Sequence, residues 1–360
     1  MHLDMGHNKG MTESARFDKP VPMNPSQNVP HSEVLADRKG DHLFLSSKAR
    51  TSRSTIDGRF NYEPLFFTHP KSSETWPQQF LSHQLDYPLW VSSMTGGTDY
   101  AKVINENLAR LCGEFKLGMG LGSCRPLLES HERLRDFDVR KYLGNQPLFA
   151  NIGIAQVEEL VLSKTEDKLL ELIKILSADG LMIHLNPLQE WFQPEGDRFT
   201  QSPLKTLELF LEKAQFPVMV KEVGQGLGPK SLRALLELPI AGIEFGAFGG
   251  TNFTLLEQMR GELDVSREAF ISVGHTASEM VDTINALPKR NKEFIISGGI
   301  QNMLDGFELK TRLKANSLIG MASAFLKPAL ENYDSLRDYF LKSREALLTA
   351  RGLLELKEDV

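Results

Sequence analysis

From Tyr87 onward the chain repeats one two-part pattern, a short apolar run followed by a longer segment with apolar residues at helical spacing. The runs are "YPLWVSSM", "LGMGLGS", "PLFANIG", "GLMIHLN", "FPVMVKEVG", "AGIEFGAFGG", "AFISVG", "EFIISGGI" and "NSLIGMA". Segments such as "YAKVINENLARLCGEF", "SPLKTLELFLEKAQ" and "TASEMVDTINALPK" separate them. Alternation of this kind predicts an α/β fold, because each crossover helix must cover the parallel sheet it returns to. A (β/α)₈ barrel, the TIM barrel, needs eight strands, and the sequence offers one candidate too many. The odd one out is expected to be "AFISVG", because "GGTNFTLLEQMRGELDVSREAF" before it reads as an active-site excursion rather than a compact helix. The end of the chain, from Asn332, reads as amphipathic helix broken near Gly352, and no internal repeat is visible.

With 360 residues and 41% hydrophobic content the chain has ample material for a core. Its formal charge of -6, without an extended basic run, gives nucleic acid no electrostatic footprint. Cys112 and Cys124 have neither metal spacing nor the density of a disulfide scaffold, so reduced thiols and a cytoplasmic location are expected. Residues 1–30 lack the apolar core of a signal peptide, and no later apolar run approaches the roughly 18 residues of a membrane span. Pro20, Pro22, Pro25 and Pro30 among polar neighbours make that stretch a flexible tail, with residues 31–360 as the folded domain.

Several strand ends carry polar groups. In "IHLNPLQE", His184 and Asn186 share one strand face, and Pro187 cannot continue a ladder, so the strand ends there. In a barrel, Gln189 and Glu190 then lie on the active-site rim. His184 alone reads equally as a satisfied core histidine; the four polar groups together point to a site. "VSSMTGG" lets main-chain amides approach a flat or phosphorylated ligand, or simply turns into the next helix. "GMGLGSCRP" brings out Ser123 and Arg125, and arginine suits bidentate phosphate recognition. Cys124 has no identifiable base and reads as a small buried hydrophobe.

"MVKEVGQGLGP" places Lys221 at the end of the fifth strand; its glycines miss the dinucleotide spacing, since the third comes one residue early. "SGGI" and "IGMA" set small residues at the last two strand ends, where barrels commonly bind phosphate. Near the start of the folded region, "LADRKGDHLFL" groups Arg38, Lys39 and His42; on a helix, Arg38 and His42 share a face.

These motifs, in this order, resemble type 2 isopentenyl diphosphate isomerase, a flavin-dependent (β/α)₈ family of isoprenoid biosynthesis. The resemblance runs from about Asp37 to about Leu354 and is carried by "DRKGDHL", "SSMTGGT", "GMGLGSCRP", "ANIG", "HLNPLQE" with "QPEGDRF", "VKEVGQG", "GGTNF", "SGGI" and "IGMA". It implies FMN on the barrel mouth, its phosphate held by Gly298, Gly299 and the Met321–Ala322 region, with Met94, Thr95, Ser123, Asn151, Lys221 and Thr251 against the flavin. It implies a small-molecule diphosphate substrate gripped by Arg38, Lys39, His42 and Arg125. It implies that His184, Asn186 and Gln189 bind the substrate close to its reacting end and diphosphate and are catalytic candidates, Gln189 as a proton relay, and that Glu190 holds Mg²⁺. NAD(P)H as reductant and a homo-oligomer are implied in the same way.

Three departures from the family pattern involve four residues: Cys124 stands where glutamine is usual, Asn252–Phe253 where Ser-Trp is usual, and Gln301 where arginine is usual. Two rival readings share the fold. One is an FMN-dependent 2-hydroxy-acid oxidoreductase, for which His275 in "VGHTAS" offers a base but no arginine clamp is evident. The other is a flavin-binding protein without activity.

Overall fold

A computed structural model describes residues 31–93, 100–260, 265–288 and 291–357. The chain divides into two compact units, residues 1–58 and 59–360. In the first, His31–Leu45 is a helix, so Arg38 and His42 do fall one turn apart on it, and a 3-10 turn follows at Arg53–Thr55. Arg38, Lys39 and His42 are exposed.

The second unit is a closed barrel of eight parallel strands: β1 Leu89–Val91, β2 Gly118–Gly120, β3 Leu148–Gly153, β4 Gly180–Leu185, β5 Val218–Glu222, β6 Gly242–Glu244, β7 Glu293–Ile296 and β8 Ser317–Met321. Each pairs with its sequence neighbours, and β8 closes on β1 through Ile319 opposite Leu89. "AFISVG" contributes no barrel strand; its first residues end the helix Val265–Ile271. The segment before it differs from the expected non-helical excursion, because Phe253–Arg260 is also helical. Asn252 starts that turn, its Oδ1 accepting from the Leu255 amide at 3.0 Å, and Thr254 and Glu257 give the helix a buried stripe.

Alternation along the strands sorts the side chains into two cores. One set, including Val91, Ile183, Val220 and Ile296, packs outward against the helices. The other fills the lower lumen with Trp90, Phe149, Met182, Met219, Ile295 and Leu318. A hairpin, Gln78–Phe80 with His83–Leu85, plugs the amino-terminal end by inserting Phe80 and Leu85 into that cluster. The Phe80 and Trp90 rings lie 5.1 Å apart. The upper lumen, where the strands end, is polar.

The terminal helix runs from Tyr333 to Leu353, its first turn capped by Asn332, whose Oδ1 accepts from the Ser335 amide at 2.8 Å. It stops one residue past Gly352, and Leu354–Leu356 pairs antiparallel with Phe60–Tyr62. Among the described residues no helix is long and apolar enough to cross a membrane.

Candidate active site

A cavity of about 650 Å³ opens at the carboxyl ends of the barrel strands. Parallel register places His184, Lys221 and Glu244 side by side on β4, β5 and β6, and Asn151 on β3, opposite Met182, reaches His184 with its side chain. These four form a polar layer directly above the apolar plug. Lys221 is buried and donates from Nζ to the Glu222 carbonyl at 2.8 Å. Glu244 is 1% exposed, and its Oε2 has no hydrogen-bond partner among the described residues; the hydroxyls of Ser92 and Ser93 share that condition. Buried polar atoms left unpaired are costly, so their convergence on one cavity marks a place built for a polar ligand.

His184 Nδ1 lies 2.8 Å from Asn151 Oδ1, a hydrogen bond when Nδ1 carries the proton, which leaves Nε2 as an acceptor. Burial first, and the Lys221 ammonium second, hold the imidazole pKa down at about 3. The ring is therefore neutral at ordinary pH.

Next along the chain comes the helix Pro187–Phe192, which follows β4 with proline in its first turn, where the missing N–H costs nothing. Helical spacing brings Asn186, Gln189 and Glu190 onto one face. Asn186 Nδ2 donates to Gln189 Oε1 at 3.2 Å and to Glu190 Oε1 at 2.8 Å. Gln189 Nε2 donates to Glu257 Oε1 at 3.1 Å, so both ends of its amide are held. Glu190 Oε2 accepts from the Asp197 amide at 2.7 Å.

The "PEGDR" turn folds back on Glu190. A Cβ on Gly196 would stand 2.0 Å from the Glu190 carbonyl, and Arg198 donates to that same carbonyl. Asp197 Oδ2 in turn accepts from Arg125 at 2.9 Å and from Gln156 at 2.7 Å. Arg125 is thus carried at the rim by the same turn that fixes Glu190.

One end of the cavity is made by two backbones. Gly298 and Gly299 have φ of +87° and +72°, and a Cβ on Gly298 would stand 2.1 Å from the Ala247 carbonyl. Opposite, the helix Ser323–Glu331 starts at Ala322 with no side-chain cap. Its first amides therefore lack a side-chain acceptor, and a helix amino terminus favours an anion.

Lys221, Thr251, Gly298, Gly299, Met321 and Ala322 line the one cavity together. Asn151 sits in the polar layer through His184 rather than in the lining. Ser123 is exposed in the loop after β2 and is not part of the lining. Met94 and Thr95 lie outside the described residues. Arg38, Lys39 and His42 belong to the first unit.

Cys124 is fully buried, its thiol pushed up to about 12 chiefly by burial, which agrees with reading it as a packed hydrophobe. Gln301 donates its backbone amide to Asp305 at the start of the next helix while its side chain is exposed. His275 is held by backbone bonds to Gln225 and Phe248 and does not line the cavity.

Four residues of these networks have no site role in the sequence reading. Glu257 orients Gln189 from 68 residues away, and helical spacing in "NFTLLEQMR" was its only signal. Glu222 and Glu244 sit inside strand ends already singled out for other residues. Asp197 lies within a quoted motif but joins Arg125 to Glu190 only in three dimensions. Among the described residues no group of three or more His, Cys, Asp or Glu side chains is arranged to hold a metal.

No family model matches the chain. It is 32% identical over 326 residues to an isopentenyl-diphosphate delta-isomerase of Nostoc sp., covering 88% of this chain and 90% of that one. It is 34% identical over 343 residues to the protein of that name from Pseudescherichia vulneris, covering 91% and 96%. For the Rickettsia peacockii protein of the same name the identity is 33% over 301 residues, covering 81% and 86%. Among solved structures, a mandelate oxidase variant with a monooxide FMN adduct superposes with a TM-score of 0.52 at 12% identity, covering 82% of this chain and 88% of that one. At that identity the likeness is one of fold.

Proposed function

The chain belongs to the isopentenyl-diphosphate delta-isomerase family, and on that premise we propose that it interconverts isopentenyl and dimethylallyl diphosphate with reduced FMN and Mg²⁺. The observation that carries this reading is the strand-end cavity with a glycine cradle at one end, and beside it an adjoining pocket that Asn186 and Gln189 line and that shares Glu222, Val223, Gly224 and Phe253 with it. The cavity volume falls in the range of roughly 300–1,000 Å³ usual for cofactor sites. Its glycine cradle, uncapped helix start and buried lysine suit a flavin phosphate at one end and an electron-rich ring beside Lys221.

Moving an isolated double bond requires a proton to be added at one carbon and another removed elsewhere, through a tertiary cationic state. Carboxylates are poorly matched to protonating an alkene. Bound reduced FMN, replenished by NAD(P)H, supplies an electron-rich ring that exchanges protons and stabilises cationic charge. This chain's residues prepare the surroundings for that charge. Neutral His184 places no repelling ion beside it, and Asn151 fixes the ring so that Nε2 is an acceptor. Lys221 supplies a fixed cation in a buried setting, suited to an anionic ring. Gln189, held by Asn186 and Glu257, presents an oriented amide suited to relaying a proton.

Arg125 at the rim suits a diphosphate oxygen, and Arg38, Lys39 and His42 are the further grip that the family resemblance assigns. Glu190 is the single carboxylate of this face with a charge to offer a metal. One carboxylate completed by substrate phosphates and water is a usual arrangement for magnesium, and it asks no more of the protein than this donor set provides.

Titrating the protein with FMN tests the reading. Saturation at one flavin per chain, together with anaerobic binding of isopentenyl diphosphate to the reduced complex, is expected. Flavin binding without diphosphate affinity would reject it, and net oxidation of lactate would favour the 2-hydroxy-acid oxidoreductase instead.

A further inference from the structure

The "GQG" turn after β5 is not spent on phosphate. Glu222, nearly buried, accepts from the amides of Gly224 at 2.7 Å, Gln225 at 2.6 Å and Gly226 at 2.9 Å, all through Oε2. The turn is wound around one carboxylate oxygen and presses on two neighbouring segments. A Cβ on Gly224 would stand 2.2 Å from the Thr251 carbonyl, and one on Gly226 would stand 2.4 Å from the His275 carbonyl. Gln225 is thereby aimed between the two ends of the excursion that carries the helices Phe253–Arg260 and Val265–Ile271.

Its side chain makes three bonds there. Oε1 accepts from Thr254 Oγ1 at 2.7 Å, at the start of the first helix; Nε2 donates to the Phe270 carbonyl at 3.2 Å, in the last turn of the second, and to the Val273 carbonyl at 2.7 Å, just past its end. The Gln225 carbonyl also accepts from the His275 amide at 2.7 Å. Beside it, Asn252 Nδ2 donates to the Ile271 carbonyl at 2.8 Å, which gives the Asn252 departure a purpose. The first helix carries Glu257, the group that holds Gln189.

We propose that Gln225 is a positioning residue, a staple that closes the ends of this excursion onto the end of β5 and so sets the Glu257–Gln189 pair at the pocket adjoining the cavity. Its donor and acceptor faces are both used, so neither a hydrocarbon nor a carboxylate reproduces it: leucine makes none of the three bonds, and glutamate turns an acceptor toward two carbonyls. The consequence for turnover rests on the isomerase reading; the mechanical link does not.

The test compares Gln225→Leu, Glu257→Leu and the double variant in the full-length holoenzyme, with Thr254→Val as a second way to cut the staple should Gln225→Leu fail to fold. Hydrogen exchange of amides 253–260 and 266–271 is expected to rise in Gln225→Leu and in Thr254→Val. In turnover, Gln225→Leu is expected to lower kcat roughly tenfold with KM changed less than about threefold, and the double variant to be no slower than Glu257→Leu alone. Unchanged exchange in both regions, or losses in kcat that multiply in the double variant, would overturn the proposal. If the wild-type protein does not isomerise, the functional reading fails while hydrogen exchange still decides the staple.

Discussion

At the scale of single residues, the site is organised around groups whose charge is decided by their neighbours. His184 has Asn151 on one ring nitrogen and Lys221 nearby, and its pKa of about 3 lies below the ordinary value of a histidine. An unfolded chain takes up a proton there near pH 6.5 while the folded one resists until about pH 3. The stability this contributes is present above about pH 6.5 and is lost as pH falls toward 3. NMR of the imidazole is expected to show no titration of His184 between about pH 8 and pH 5, and urea denaturation of His184→Gln a shallower loss of stability across the acid range. A normal histidine titration would contradict the assignment. Glu190 is tested by an isosteric exchange. Glu190→Gln keeps an acceptor for Asn186 or the Asp197 amide but removes the charge. Magnesium-dependent turnover is expected to vanish with the flavin spectrum intact; turnover that still responds to Mg²⁺ would remove Glu190 from that role.

At the scale of elements, the two ends of the barrel do separate work. The amino-terminal end is closed by the hairpin that inserts Phe80 among Trp90 and Phe149, with ring centroids 5.1 and 6.5 Å away. Phe80→Ala is expected to cost about 3–5 kcal/mol in a denaturant titration, and to leave FMN affinity nearly unchanged because the plug lies at the opposite end from the cavity. The carboxyl-terminal end is closed by backbone. Gly298→Ala forces a side chain into a left-handed residue and against the Ala247 carbonyl. The conformation alone costs about 1–3 kcal/mol, so a lower denaturation midpoint and weaker FMN binding are expected together. An unchanged midpoint would show that the loop moves freely and that the cradle is not preformed.

At the scale of the whole molecule, the period of the sequence made the barrel legible, because a parallel sheet covered on both faces writes itself as apolar runs spaced by amphipathic helices. The same logic removed the ninth run, whose residues finish a helix. The site was legible wherever it sits at a strand end in a short motif, as with His184, Asn186, Lys221 and Gly298. It was not legible where a short helix or a distant element completes the geometry. Six residues from Pro187 to Phe192 are too few to show a period, Asp197 reaches Glu190 through the fold of an irregular turn, and Glu257 meets Gln189 only through the tertiary fold. The family resemblance supplied functions for residues that periodicity could only place.

The most direct measurement of that assignment is an anaerobic assay of the purified protein with FMN, Mg²⁺ and NADPH, following isopentenyl and dimethylallyl diphosphate by NMR. Approach to the same mixture from either isomer, with no net consumption of NADPH beyond flavin reduction, is the predicted result. Failure to interconvert the two diphosphates by flavin-loaded protein would contradict it.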